Sequence, residues 1–144
     1  MAPAARILLP DLPKGHAFPE TSLQITREDV GAYIAAVADT NSLYSDKGLA
    51  PPLAVAARAL GSLLEIVELP WGSLHTGQEL EMSAGVPIGA ELTLSGRVAQ
   101  RSERGGLVIS VLEFSVTPAG QATPSVSGRT TVMGPATASA GGAT

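Results

Sequence analysis

One α+β domain, an antiparallel sheet of about five strands wrapped around a single long apolar helix, is the fold class that the sequence predicts. Three features predict it. A run of apolar and small residues long enough for a buried helix lies near the middle of the chain. Every segment after Gly72 alternates apolar and polar residues with the period of two that a strand requires. The links between those segments are short and rich in Gly and Pro, which favours antiparallel neighbours. At 144 residues the chain suits one domain, large enough for a real core and too short for two ordinary ones.

The elements follow in order. Residues 1–20 carry Pro3, Pro10, Pro13, Gly15 and Pro19, so they read as an extended arm whose Ile7, Leu8, Leu9 and Phe18 lie along the domain surface. The domain proper is expected over 21–134. A short strand at 21–25 leads to Thr26, an N-cap with Asp29 in the capping-box position, and a helix over 27–38 whose Val30, Tyr33, Ile34 and Val37 form one stripe. A second helix runs from 51 or 52 to 68, because Pro is tolerated in a first turn and Pro70 with Gly72 marks the end. Only Arg58, Glu65 and Glu68 are charged in it, so it reads as apolar on most of its circumference and buried. Strands follow at 78–83, 91–99, 107–116 and 126–133, separated by turns at 85–89, Gly105-Gly106 and 118–120. The third of these is apolar on both faces in its first half, which suits a central strand or one at a subunit interface. The tail 135–144 is Pro, Ala, Thr, Ser and Gly and is expected to be disordered.

Composition excludes several classes of function. The net charge is −4 with nine basic residues in no run or stripe, which argues against nucleic acid as a partner. Zero cysteines remove disulfides, thiolate nucleophiles and Cys-based metal sites. His16 and His75 are the two histidines and lie far apart without a His-x-x-x-His spacing, so no metal site is expected. The glycines of the late turns do not form a Gly-x-Gly-x-x-Gly loop between strand and helix, and no Gly-x-Ser-x-Gly elbow exists. The apolar run after Arg6 is three residues long and is broken by Pro10, too short for a signal-peptide core or a membrane span, so a cytoplasmic location is expected.

The stretch richest in chemistry is Asp39-Thr40-Asn41-Ser42-Leu43-Tyr44, between the two helices, followed by Ala50-Pro51-Pro52-Leu53 at the start of the second. It resembles the active-site segment of the MaoC-like hydratases and dehydratases, particularly their N-terminal dehydratase-type domains, which reads Gly-Asp-x-Asn-Pro-x-His. Further along, Leu74-His75-Thr76-Gly77-Gln78-Glu79 and the segment 85–92 resemble that family's strand-and-turn element. The resemblance spans roughly 21–133 and implies the hotdog fold, which the order of elements also fits. Two departures stand out: Tyr44 occupies the His position, and Ser42 the Pro position.

Hydration or dehydration beside a thioester needs a group that activates or releases water, a proton donor or acceptor for the alpha carbon, and dipoles facing the carbonyl oxygen. The resemblance makes Asp39 the carboxylate that orients or activates water and lets Asn41 hold the loop or the substrate. Read from spacing alone, Asp39 is a helix C-terminal residue and Asn41 a turn former. A phenol is not the neutral-pH base that imidazole is, so Tyr44 serves as a proton or hydrogen-bond donor, or as a structural residue beneath the loop. At the second helix, Pro51 and Pro52 have no N–H, which leaves Leu53 and Ala54 as the first donors toward a thioester oxygen. Pro52, Leu53, Ala54 and His75 are the candidate substrate-binding residues; for His75 the alternative is a strand-edge surface residue.

These implications give an (R)-specific enoyl-thioester hydratase or 3-hydroxyacyl-thioester dehydratase, or a subunit of one. Its acyl chain would ride on coenzyme A or on the phosphopantetheine of a carrier protein, with no other cofactor. A homodimer or a heterodimer with a second hotdog chain is expected, the latter supplying the missing His, and the doubly apolar strand near 107–112 offers a pairing surface. A non-catalytic acyl-binding or scaffold subunit of a heterodimeric dehydratase and a hotdog thioesterase are the competing readings.

Overall fold

A computed structural model describes residues 6–136. In chain order the elements are β1 (Ile7–Leu8), a 3-10 turn at Leu9–Asp11, β2 (Thr21–Leu23), α1 (Arg27–Val37), α2 (Leu43–Lys47), β3 (Leu49–Ala50) and α3 (Pro52–Leu64). They continue as β4 (Val67–Glu68), β5 (Leu74–Met82), β6 (Val86–Pro87), β7 (Leu92–Arg104), β8 (Leu107–Pro118) and β9 (Val126–Pro135). The main sheet is five-stranded and antiparallel, in the order β2-β7-β8-β9-β5. The strand order places β8 at the centre between β7 and β9 and leaves the edges to β2 and β5. The tail expected from residue 135 lies, from 137 onward, outside the described residues, while Pro135 itself closes β9.

Alternation in β8 explains the core. Val108, Leu112, Phe114 and Val116 are buried on one face, and the last three share one core cluster with Val55, Ala56, Ala59 and Leu63 of α3. Each Val or Leu removed from water there contributes about 1.5–3 kcal/mol. Phe114, the largest fully buried side chain, lies between two strand glycines, Gly96 of β7 and Gly128 of β9. A Cβ on Gly128 would stand 2.6 Å from Phe114 Cζ and 2.9 Å from the Glu79 carbonyl oxygen, so only glycine fits beside the ring.

Three expectations about packing are corrected. The long helix is amphipathic, not buried all round: Leu53 and Leu64 are 58% and 41% exposed. It ends at Leu64 and not at 68, because Val67 and Glu68 leave the helix to pair in parallel with Ile7 and Leu8. The arm is part of the core rather than a surface strap, with Leu9, Leu12 and Phe18 buried. Backbone hydrogen bonds from Gly15 to Val98 (2.7 Å), from Val98 to His16 (2.8 Å) and from Phe18 to Gly96 (2.9 Å) lay it along β7, and Arg101 Nε donates to the Pro10 carbonyl at 2.9 Å. A proline-rich segment escapes helix and sheet periodicity, which is why its burial is invisible to a pattern search.

The pairing surface also moves. The apolar strand near 107–112 is β8, hydrogen-bonded on both sides by β7 and β9, so its two apolar faces reflect a central position. The long open edge is β5, whose residues are all exposed except the intermediate Gly77.

Candidate functional site

The Asp39 segment is built by the ending of α1. Thr26 and Asp29 form the expected capping box, Asp29 N–H donating to Thr26 Oγ1 at 3.1 Å and Thr26 N–H to Asp29 Oδ2 at 2.9 Å. At the other end Ala38 takes a left-handed conformation with φ of 54°. Its N–H donates to Ala35 and that of Asp39 to Ile34 at 3.1 Å, a closure usually given to glycine. The chain therefore leaves the helix sharply, with Asp39 half-buried at the corner.

Two consecutive side-chain turns follow. Asn41 N–H donates to Asp39 Oδ1 at 2.9 Å, and Leu43 N–H donates to Asn41 Oδ1 at 2.9 Å, leading directly into α2. This is the local geometry that Asp and Asn prefer, because their short side chains mimic a backbone turn. The turn-forming role read from spacing is thus present. It leaves Asp39 Oδ2 with no hydrogen-bond partner among the described residues. Tyr44 lies half-buried in α2, and no described residue hydrogen-bonds its hydroxyl. Gly48, at φ of 65°, ends α2 and turns the chain into β3, whose Leu49 and Ala50 pair with Pro87 and Val86.

At the start of α3, Pro52 is half-buried, Leu53 exposed and Ala54 buried. One expected donor is corrected here. The Ala54 N–H donates to the Pro51 carbonyl at 3.0 Å, closing the first turn, so Leu53 alone retains an N–H without a backbone partner among the described residues. Apolar side chains are exposed in all three neighbouring segments: Val37 at 52%, Leu43 at 50% and Leu53. His75 is placed elsewhere. It sits on the edge strand β5, beside a bulge at Thr76, and its Nε2 donates to the carbonyl of Gly77 at 3.0 Å. No hydrogen bond or ion pair joins it to the Asp39 segment among the described residues. The structure therefore places Asp39 and Asn41 in one loop, Tyr44 on the short α2 that the loop leads into, and Pro52, Leu53 and Ala54 on the first turn of α3, and leaves His75 on its own strand.

The strongest electrostatic feature lies on the other face of the sheet and was not anticipated from sequence. Glu113 on β8 pairs with Arg97 on β7 and Arg129 on β9, with Arg97 Nη2 at 2.8 Å and Arg129 Nε at 2.8 Å. These hydrogen bonds, that of Arg129 foremost, hold the Glu113 carboxyl below the usual glutamate range, and Glu113 in turn raises Arg129. The three residues are 16 apart in sequence, pair by pair, and only the strand register makes them neighbours. Asp29 is likewise lowered, chiefly by the Thr26 backbone N–H. A cleft of about 400 Å³ lined by Glu79, Glu113, Phe114 and Arg129 flanks the triad, away from the Asp39 loop. Among the described residues no group of three or more His, Asp or Glu is arranged to hold a metal ion, and no helix is long and apolar enough to cross a membrane.

With the fold and loop defined, the class follows from comparison. The family model "FAS1-like, dehydratase domain region" matches residues 13–121, and the chain belongs to that family. Solved structures of MaoC-like hydratases and dehydratases share its fold, the hotdog. An (R)-hydratase from A. caviae involved in PHA biosynthesis superposes with a TM-score of 0.70 at 22% identity, covering 85% of this chain and 96% of that one. The HadBC 3R-hydroxyacyl-ACP dehydratase complex from Mycobacterium tuberculosis gives 0.68 at 20% identity, covering 88% and 100%. A MaoC-like dehydratase from Rhodospirillum rubrum gives 0.70 at 16% identity, covering 88% and 95%. No curated protein sequence matches the chain.

Proposed function

We propose that the chain is a subunit of an (R)-specific enoyl-thioester hydratase or 3-hydroxyacyl-thioester dehydratase, acting on acyl chains carried by coenzyme A or a carrier protein and needing no other cofactor. The observation that carries this reading is Asp39 itself. It stands half-buried at the corner between α1 and α2, one oxygen fixed by Asn41 and the other open, within the stretch that matches a dehydratase-region family. The similar structures described as an (R)-hydratase and a 3R-hydroxyacyl-ACP dehydratase support the reaction class.

In hydration, Asp39 Oδ2 accepts a proton from water as the water oxygen bonds to the beta carbon of the 2-enoyl thioester. A second acid delivers a proton to the alpha carbon, and the Asp39 proton is returned to that acid. Dehydration is the reverse. The Leu53 N–H, at the positive end of α3, faces the developing charge on the thioester oxygen. Val37, Leu43 and Leu53 offer apolar surface to the acyl chain or to a partner. The family's second acid is an imidazole, and Tyr44 stands at that position. A partner hotdog subunit supplies it, which makes a heterodimer the working unit; the similar HadBC complex supports that arrangement. The reaction is assigned to the cytoplasm.

A second reading rests on Tyr44 and Ser42 together: the chain binds the acyl thioester and shapes its channel while the partner alone performs the chemistry. Purified chain, with and without the partner that co-purifies from the native source, assayed for hydration of 2-enoyl-CoA substrates, separates the two. Activity of the complex that Asp39→Asn removes supports the catalytic subunit. Activity untouched by Asp39→Asn assigns the chain to binding, and release of free thiol would make it a thioesterase.

A further inference from the structure

The stretch that carries Asp39 is held at its ends and little in between. Of residues 26–47, which form α1, the two side-chain turns and α2, Val30 alone is buried; Tyr33, Ile34, Asp39 and Tyr44 are half-buried and the rest are exposed. One buried valine is little apolar area for a stretch of this length, so burial alone does not fix where it lies.

The fixing falls to one turn much later in the chain. Ile88 N–H donates to the Gly48 carbonyl at 2.9 Å, and the next amide, that of Gly89, donates to the Ile25 carbonyl at 2.8 Å. Ile25 directly precedes Thr26, the N-cap of α1, and Gly48 ends α2. Adjacent peptide groups therefore hold both ends of the Asp39 stretch. The same segment continues the hold toward α3, since Val86 and Pro87 pair with Ala50 and Leu49, and Val86 and Ala50 are both buried. Gly89 permits the double hold. It stands at φ of 83°, where a side chain is strained, although a Cβ there would meet nothing within 4 Å.

We infer that Ile88 and Gly89 are positioning residues for Asp39: their two amides set where α1 and α2 stand against the start of α3, and so where the carboxylate stands against the Leu53 N–H. In this arrangement α1 is a lever. At about 1.5 Å per residue its 11 residues span roughly 16 Å, so a shift of its base at Ile25 is carried to the Asp39 corner at its far end. Placement there matters, because a misplacement of about 1 Å costs on the order of 100-fold in rate. The catalytic part of this inference rests on the reaction proposed above, while the hold itself is read without turnover.

Three variants of the full chain test it. Gly89→Ala keeps the amide and strains the turn. Gly106→Ala, at φ of 79° in the β7–β8 hairpin with equally open space, applies the same strain at the other end of β7. Gly89→Asn relieves it, because Asn tolerates the left-handed region. In amide hydrogen exchange, Gly89→Ala should speed the α1 amides at least about fivefold relative to those of β8. Gly106→Ala should leave α1 at the wild-type rate, and Gly89→Asn should return it there. In the co-purified complex with 2-enoyl-CoA, Gly89→Ala should lower kcat at least about tenfold with KM within about twofold. Gly106→Ala should keep wild-type kcat, and Gly89→Asn should recover most of it. If Gly89→Ala does not fold, Ile88→Pro, which deletes the bond to Gly48, takes its place with the same expectations. Equal α1 exchange in Gly89→Ala and Gly106→Ala, or wild-type kcat for Gly89→Ala in a complex whose turnover depends on Asp39, overturns the inference. If Asp39→Asn leaves turnover intact, the reaction reading fails, and the exchange comparison alone decides the hold.

Discussion

The Asp39 carboxylate holds the Asn41 backbone N–H at 2.9 Å through one oxygen and keeps the other free of protein partners among the described residues. A carboxylate fixed in this way keeps its orientation without giving up its capacity to bind water. Asn41, by contrast, spends its own carbonyl oxygen on Leu43. Positioning and chemistry are thus divided between two residues two apart in the chain.

Asn41→Ala should consequently act through the loop. Loss of the turn bond to Leu43 is expected to cost about 0.5–1.5 kcal/mol in chemical denaturation. In the working complex it should lower turnover far less than removal of the Asp39 charge does. Equal losses for the two substitutions would mean that Asn41 touches the substrate.

Gly128→Ala places a methyl group against the Phe114 ring and the Glu79 carbonyl oxygen. Overpacking of this kind costs about 1–3 kcal/mol. Adding Phe114→Leu should recover part of that loss and not all, because the backbone contact remains. Denaturant midpoints of the single and double variants measure it.

Acid stability should depend on Glu113. Its carboxyl titrates below the ordinary value of 4.5 in the folded chain because Arg129 and Arg97 hold the charged form. Folding is therefore favoured by this group above 4.5, and the contribution is lost as pH falls through the depressed folded value. Glu113→Gln should flatten the fall in stability below pH 4.5 while costing no more than about 1 kcal/mol per ion pair at neutral pH, since both arginines are well exposed. Urea midpoints across the acid range of both proteins provide the comparison.

Thr26→Ala removes the N-cap acceptor of α1 and should cost about 1 kcal/mol. The effect should also reach the site, since α1 sets the corner at Ala38 from which Asp39 projects. Thermal unfolding together with Asp39-dependent activity checks both parts.

Much of the fold was legible because the signals were periodic. The alternation of β7 to β9 reports directly which face meets the core, and the capping box at Thr26 and Asp29 marks where α1 begins, whereas the α1 stripe holds only in part, with Val30 buried and Val37 52% exposed. What periodicity does not reach was misplaced or missed. The burial of Leu9 and Phe18 depends on prolines that suppress any pattern. The short α2 arises from side-chain turns at Asp39 and Asn41. The C-terminal end of α3 depends on a parallel pairing between β1 and β4, distant in sequence. In the site, Asp39 and Asn41 were visible as residue types at a spacing, but the capture of the Ala54 N–H by Pro51 is a property of the folded first turn. The Arg97–Glu113–Arg129 triad needed a strand register that composition does not contain.

The central claim is that Asp39 performs chemistry rather than shaping a loop. Asn at position 39 keeps an oxygen for the Asn41 N–H and removes only the charge, so hydration of 2-enoyl-CoA by the co-purified complex, wild type against Asp39→Asn, is the most direct measurement. With the complex intact by sedimentation, the account predicts a fall in kcat of at least about 100-fold. Turnover equal to wild type in an intact complex would contradict it.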